Sequence, residues 1–420
     1  MSLRPSSGAR AIAGVGLYFS CNGLVFAALL PWYPLLVERL GLSSWEFGLV
    51  VASFALGAII SSVVPAHLIS RFGANAVVVG GTVLLGLSAV ATAWSVNGWM
   101  MAACLFLVGF FDATVDVAQN VVGIGVQERL SRVILSSMHA LWSLGGLVSG
   151  AVATTAAANG MDMRVHLALI TVASIIVIMV ARSLIGDAVA GTRSSRSGVD
   201  DGAEAGTGTS LGAGAGETAA AGEIAGARRP RSKRAILLMA LPLAVVAICG
   251  TAVEDIANNW SALAAVEFSG VPAAASGIAF SVVIGSQCLG RFSGDFLVQR
   301  FGSSRIARLG GGFIALGGIG VVTAIEPVQL LLGLGLMGYG SATLVPGALG
   351  AAAHLPGVGR AGGVTLVNWI MRIGYLGTSP LVGVIAGLGT LRWGLSVLIV
   401  IGAVTMIFAG RLPGQQPQSH

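Results

Sequence analysis

Charge is scarce in this sequence. Lys, Arg, Asp and Glu together make up 10% of its 420 residues, where soluble domains carry roughly 25%. So few charges cannot cover the surface of a water-soluble protein of this length. Cysteine is also rare. Cys21, Cys104, Cys249 and Cys288 all fall inside apolar runs, at no metal-like spacing, and read as small buried apolar residues. No Walker-type nucleotide motif, no His-Glu-x-x-His and no credible nucleophile–base pair occurs. ATP-driven pumping by this chain alone and membrane-enzyme chemistry are therefore set aside. The sequence gives no reason to expect a cofactor, a metal or a nucleic-acid partner, because the net charge of +6 comes from basic residues near the ends of apolar runs.

Apolar residues are what the chain has: 55% of the total, with a mean hydropathy of +0.88. The natural solvent for most of this surface is lipid. Backbone groups in lipid must be satisfied within the chain, which leaves helices or closed barrels. The runs are continuously apolar and do not alternate with period two, so helices of about 20 residues are expected. The predicted spans are 11–37, 46–70, 75–96, 98–125, 133–158 and 163–184, then 235–266, 272–299, 304–324, 327–352, 360–387 and 391–411. The fold class is thus all-α membrane protein with twelve transmembrane helices in two six-helix bundles. The expected domains are 1–185, a linker over 186–234, a second bundle over 235–411 and a tail over 412–420. The linker is rich in Gly, Ala, Ser and Thr and lacks aromatics, so it is expected to stay disordered. Its Gly208-Thr209-Ser210-Leu211-Gly212 run matches a hydrolase nucleophile pattern without the strand–turn–helix setting that gives the pattern meaning.

Arginine marks the orientation. Arg4, Arg10, Arg71, Arg129, Arg132, Arg300, Arg305, Arg308 and Arg360 fall on one side with the basic linker, against Arg39, Arg164 and Arg392 on the other. Cytoplasmic loops collect Lys and Arg, so both termini and the linker are expected in the cytoplasm. The basic start resembles a signal peptide, but its apolar stretch is too long and eleven spans follow. It reads as an uncleaved first helix of a multi-pass protein of the inner membrane.

The second span ends on Arg71-Phe72-Gly73 and the eighth on Arg300-Phe301-Gly302, 229 residues later. This repeat at equivalent helix ends resembles the loop signature of the major facilitator superfamily. Gly290, Gly294, Asp295, Arg300 and Gly302 fit that signature, whereas the first copy has Ala66 where the repeat places Asp295. The resemblance implies two bundles related by an axis along the membrane normal, with a substrate cavity between them. Asp116-Val117-Ala118-Gln119-Asn120, Gln127-Glu128-Arg129, the run Met138 to Gly146 and Asn259-Trp260-Ser261-Ala262-Leu263 together resemble a bacterial inner-membrane (YbjJ-type) branch related to the fucose permeases. That branch has an acid before the second-half Trp, where this chain has Asn259.

Polar residues inside such spans are costly and are retained for a cavity, an ion path or a partner. Asp112, Asp116 and Asn120 share one face of the fourth span. Two carboxylates one turn apart repel, and a carboxyl that holds and releases a proton suits proton coupling. The bland alternative is a pair of capped acids that only fix packing. Glu254, Asp255, Asn258 and Asn259 form a dense polar patch on the seventh span, read as a water-lined wall, or else as solvated residues near the outer mouth. Asp116, Asp112, Glu254 and Asp255 are the candidate proton carriers. Asn368, Arg372, Tyr375 and Ser379 form a stripe on the eleventh span. Arg372 either binds substrate or pairs with Asp112, Asp116 or Glu254. The candidate substrate-binding set is Asn120, Asn258, Asn259, Trp260, Asn368, Arg372, Tyr375 and Trp32.

His139 shares a stripe with Ser136 and Ser143 near the cytoplasmic end of the fifth span, where it reads as a packing residue or a gate. Arg291 and Asp295, an i, i+4 pair of the loop-signature type, are expected to act as a conformational latch, with Arg300, Arg71 and His139 as further gating residues. Trp32, Tyr33, Trp45, Trp94, Trp99 and Trp393 lie at span ends and suit an interfacial belt.

The expected function is secondary active transport of a small solute, with the lipid bilayer and a proton as partners and a monomer as the working unit. Drug-exporting antiporters of the superfamily carry Gly-x-x-x-Gly-Pro on the fifth helix, and this chain has no proline between Met138 and Gly160. That favours uptake of a sugar-like or other small polar compound. Proton-driven efflux of a cationic compound is the alternative, and a non-transporting membrane sensor a further one.

Overall fold

The computed structural model describes residues 5–130, 134–186, 233–356 and 360–412. Among them there is no strand. Twelve helical spans are long and apolar enough to cross a membrane. We number them α1 Gly8–Leu40, α2 Ser44–Ser61, α3 Ala74–Ala93, α4 Gly98–Leu130, α5 Ser137–Ala158, α6 Met163–Ile185, α7 Ile236–Ser269, α8 Ala273–Gly294, α9 Ser303–Val322, α10 Pro327–Ala352, α11 Gly362–Gly387 and α12 Leu391–Arg411. The side where α6 ends and α7 begins is called the linker side here, and the opposite side the far side. Most of the expected linker, residues 187–232, and of the tail, residues 413–420, lies outside the described residues.

The expected second span is broken. Its helix stops at Ser61, and Pro65, which has no N–H to donate, starts a separate short helix, Pro65–Phe72. The tenth span divides similarly into Pro327–Ser341 and Leu344–Ala352. The repeated Arg-Phe-Gly has a structural cause. Gly73 lies at φ 83°, ψ 149° and Gly302 at φ 85°, ψ 148°, a conformation side chains resist. Each glycine ends one helix and starts the next, α3 after Gly73 and α9 after Gly302. In both copies the arginine packs over the following phenylalanine ring, at 5.4 Å for Arg71 and 5.8 Å for Arg300.

Two of the far-side arginines, Arg39 and Arg392, serve helix ends. The last carbonyls of a helix lack intrahelical donors and attract positive charge. Arg39 donates to the carbonyls of Ala93 and Ser95 at 3.0 and 3.1 Å, closing α3. Arg392 donates to those of Val322 and Ala324 at 2.5 and 2.7 Å, closing α9, and lies 4.3 Å over the Phe268 ring. Arg392→Ala is expected to destabilise the protein by about 1.5–3 kcal/mol, read as a lower thermal midpoint in detergent, with Arg392→Lys recovering part. An unchanged midpoint would exclude the capping role.

Trp45, Trp94, Trp99 and Trp393 are exposed at span ends, as a belt requires. Trp32 and Tyr33 are not part of it. A short turn at Leu30–Trp32, built on Pro31, swings both into the core.

Candidate functional site

The two bundles meet where α2 packs on α11 and α5 on α8. The close approaches lie on the far side, and they are made by glycine. A Cβ on Gly48 would sit 2.6 Å from the carbonyl oxygen of Ser379, and one on Gly383 would sit 2.7 Å from that of Ser44. One on Gly150 would meet the Phe280 ring at 2.8 Å. Small residues let helix backbones approach this closely. Aromatic rings complete the seal: Phe47 of α2 stands edge-on to Trp260 of α7 at 5.2 Å and to Tyr33 at 5.5 Å.

Below this seal, at mid-depth, lie the charged groups. In the first bundle a chain of donors links three helices. The Trp142 indole donates to Asn22 at 2.7 Å, and Asn22 donates to the Asp112 carboxylate at 2.9 Å. Among the described residues the Asp116 carboxylate, one turn on, accepts only from Gln119 and Asn120 of its own helix, each at 3.2 Å. Neither acid forms an ion pair with a described residue. His139 lies within electrostatic range of both Asp116 and Arg291. Its Nε2, together with Asn120 Oδ1 and Gln119 Oε1, is buried without a hydrogen-bond partner among the described residues.

In the second bundle Arg291 of α8 forms an ion pair with Glu254 of α7 at 2.6 Å. The same guanidinium donates across the seam to Ser143 of α5 at 2.9 Å. Glu254 also accepts from Gln287 at 3.3 Å, and Gln287 donates to Ser341 at 3.1 Å. The paired side chains keep 36% and 31% of their surface exposed although they sit between the bundles. The seam is therefore open at their level.

Arg291 was expected to act with Asp295 as a conformational latch. Among the described side chains it binds Glu254, because a neighbouring helix offers the carboxylate at bonding distance. The Asp295 side chain lies outside the described residues, as does that of Ser136. Asp255 is buried, with one oxygen accepting from Asn259 at 2.8 Å and the other from the Ser379 hydroxyl. Ser379 in turn accepts from Asn259 and from the Trp260 indole at 3.2 and 3.1 Å. This cluster clamps α7 to α11. Trp32 donates to His166 at 3.1 Å. Trp32, Asn259 and Trp260 are thus buried with their donors engaged.

Arg372, Tyr375, Asn368 and Asn258 are half-buried. Tyr375 lies within electrostatic range of Glu254, Asp255, Tyr33 and Asp112, which places it between the bundles. Arg372 forms no ion pair or hydrogen bond with a described residue. Sequence reasoning missed Asn22, Trp142 and Gln287 as site residues. A lone Asn in the apolar run Gly16 to Leu30 was the available signal for Asn22. Among the described residues no group of three His, Cys, Asp or Glu comes together to hold a metal.

A family model described as Major Facilitator Superfamily matches residues 15–327. A transporter of Sinorhizobium fredii, y4wD, is 25% identical over 94% of this chain and 96% of its own length. Among solved structures, a bacterial homologue of the human lysosomal transporter Spinster, inward-facing and occupied, superposes with a TM-score of 0.71 at 13% identity, covering 99% of this chain and 100% of that one. A D-xylose–proton symporter superposes with a TM-score of 0.65 at 14% identity, covering 96% of each chain.

Proposed function

This chain belongs to the Major Facilitator Superfamily, as a multi-pass membrane transporter and not an enzyme, and we propose that it takes up a small polar solute by proton-coupled alternating access. The linker side is the cytoplasm in this reading, so the far-side seal faces outward and the open seam faces inward. The observation that carries it is the pair of mid-depth carboxyls, Asp112 and Asp116, held by amide groups with no ion-pair partner among the described residues. An uncompensated carboxylate in an apolar surround is costly, and a proton removes the charge.

Asp116 carries the proton. Its charge reaches His139, which also feels Arg291, and Arg291 joins Glu254 in its own bundle to Ser143 across the seam. A charge change at Asp116 therefore acts on a contact that exists only while the bundles stand in this arrangement. Asp112 is tied to Asn22 and Trp142 and keeps α1, α4 and α5 in register. Asn120, Asn258, Asn368 and Tyr375 offer hydrogen-bonding groups to the solute.

The test is the purified protein in liposomes with an imposed pH gradient, supplied with labelled D-xylose, D-galactose and D-glucuronate. Accumulation of at least one should follow the gradient. In Asp116→Asn it should fall to the level of empty liposomes, while exchange at equal pH persists. Accumulation by Asp116→Asn at the native rate would remove Asp116 from the coupling role.

A further inference from the structure

Every acid at mid-depth of the seam already has hydrogen-bond donors, and one arginine there has no acceptor among the described residues. Glu254 is held by Arg291 and Gln287, Asp255 by Ser379 and Asn259, Asp112 by Asn22, and Asp116 by Gln119 and Asn120. Arg372 stands at the middle of its helix, Arg360–Gly387. It is half-buried and forms no ion pair or hydrogen bond with a described residue.

Its direction follows from its stripe. Asn368, Arg372, Tyr375, Ser379 and Gly383 recur at spacings of three and four residues, so they share one face. At the far end of that face, Ser379 and Gly383 touch the backbone of α2. Tyr375, one turn nearer the middle, is within electrostatic range of Asp112 in the opposite bundle. The face therefore looks at the first bundle, and Arg372 projects into the seam where the bundles part. An unpartnered guanidinium at this depth is costly. Water can solvate it while the seam is open, but closing the seam on that side removes the water.

We infer that the solute carries an anionic group, a carboxylate or a phosphate, that docks on Arg372. The proposal rests on the transport reading above. A guanidinium presents two parallel N–H donors that match either oxyanion. The uncharged groups beside it, Asn368 and Tyr375, suit a hydroxyl-bearing remainder. A cationic solute finds no equivalent in this reading, because Glu254 is paired with Arg291, Asp255 is enclosed in the clamp, and the charge of the Asp112–Asp116 pair is met by the proton. Docking the anion also supplies the counter-charge that lets the seam close around the arginine, so an empty carrier closes less readily than a loaded one.

The test pairs acids with neutral counterparts on the purified full chain: D-glucuronate with D-glucose, D-gluconate with D-sorbitol, and sn-glycerol 3-phosphate with glycerol. The first two pairs probe a carboxylate and the third a phosphate. Binding is read by ligand-dependent thermal stabilisation. In at least one pair the acid should bind about tenfold or more tightly than its neutral partner. Arg372→Gln should bring the acid down to the neutral level, and Arg372→Lys should keep part of the preference. The proposal is overturned if no acid binds, if neutral partners bind as tightly, if monodisperse Arg372→Gln keeps the preference, or if it weakens acid and neutral alike. Proton-driven flux of a neutral sugar that persists in Arg372→Gln would sink the anion and leave the transport reading standing. Arg372-dependent acid binding with no response to a pH gradient would do the reverse.

Discussion

Gly48→Val is expected to abolish transport and to hold the far side apart. The first added carbon alone would lie 2.6 Å from the Ser379 carbonyl oxygen and 3.2 Å from the Gly383 Cα. Both are backbone atoms of α11, so no rotamer change relieves the clash, and a branched side chain adds to it. The bundles must separate where α2 crosses α11, and the protein should populate the arrangement open on the far side. Spin labels at Val96 and Leu388, both exposed at the far side, should report a longer distance than in the unmodified protein. A native distance distribution together with native transport would show that the crossing is not the seal. Gly383→Val should behave alike, since its Cβ would meet Ser44 and Trp45 backbone atoms.

Loss of transport is also expected when either partner of the Arg291–Glu254 pair is neutralised. Arg291→Gln strands the Glu254 carboxylate, and Glu254→Gln strands the guanidinium, each in a site only partly open to water. Breaking a fully buried pair costs about 3–5 kcal/mol; screening through the exposed third makes the cost here smaller. The double variant should regain stability over either single one, with a coupling of about 1–3 kcal/mol in a cycle of thermal or denaturant midpoints. It should not regain transport, because the bond from Arg291 to Ser143 across the seam is lost as well. Additive single effects would show that the two side chains act independently.

The spans were legible because lipid imposes a coarse rule: about 20 apolar residues, with turns between. The Arg71-Phe72-Gly73 and Arg300-Phe301-Gly302 repeat was legible because one backbone conformation demands glycine twice. The polar residues of the seam were also visible, since each interrupts an apolar run. Their partners were not. Helical spacing fixes which residues share a face, but not how one helix is rotated against the next. Arg291 binds Glu254, 37 residues away on another helix, and no spacing within either helix announces that pair. Asn22 escaped notice because a single amide in a long apolar run makes no pattern. Trp32 looked like a belt residue because the turn at Pro31 that buries it leaves no hydropathy signal.

The helices joined by the Asp255–Ser379 clamp each contain an internal proline, Pro242 in the seventh and Pro380 in the eleventh. Proline cannot donate to the carbonyl four residues back, which weakens a helix locally against bending. Pro242 lies on the linker side of the clamp. Pro380 follows Ser379 directly, on the way to the far side. The clamp therefore behaves as a rivet with one hinge on each side of it. The last eight residues of α11, Pro380–Gly387, which carry Gly383 to the seal, can pivot as a flap while the rivet stays closed. Moving the flap would part Gly383 from Ser44 on the far side without breaking the buried hydrogen bonds of the clamp.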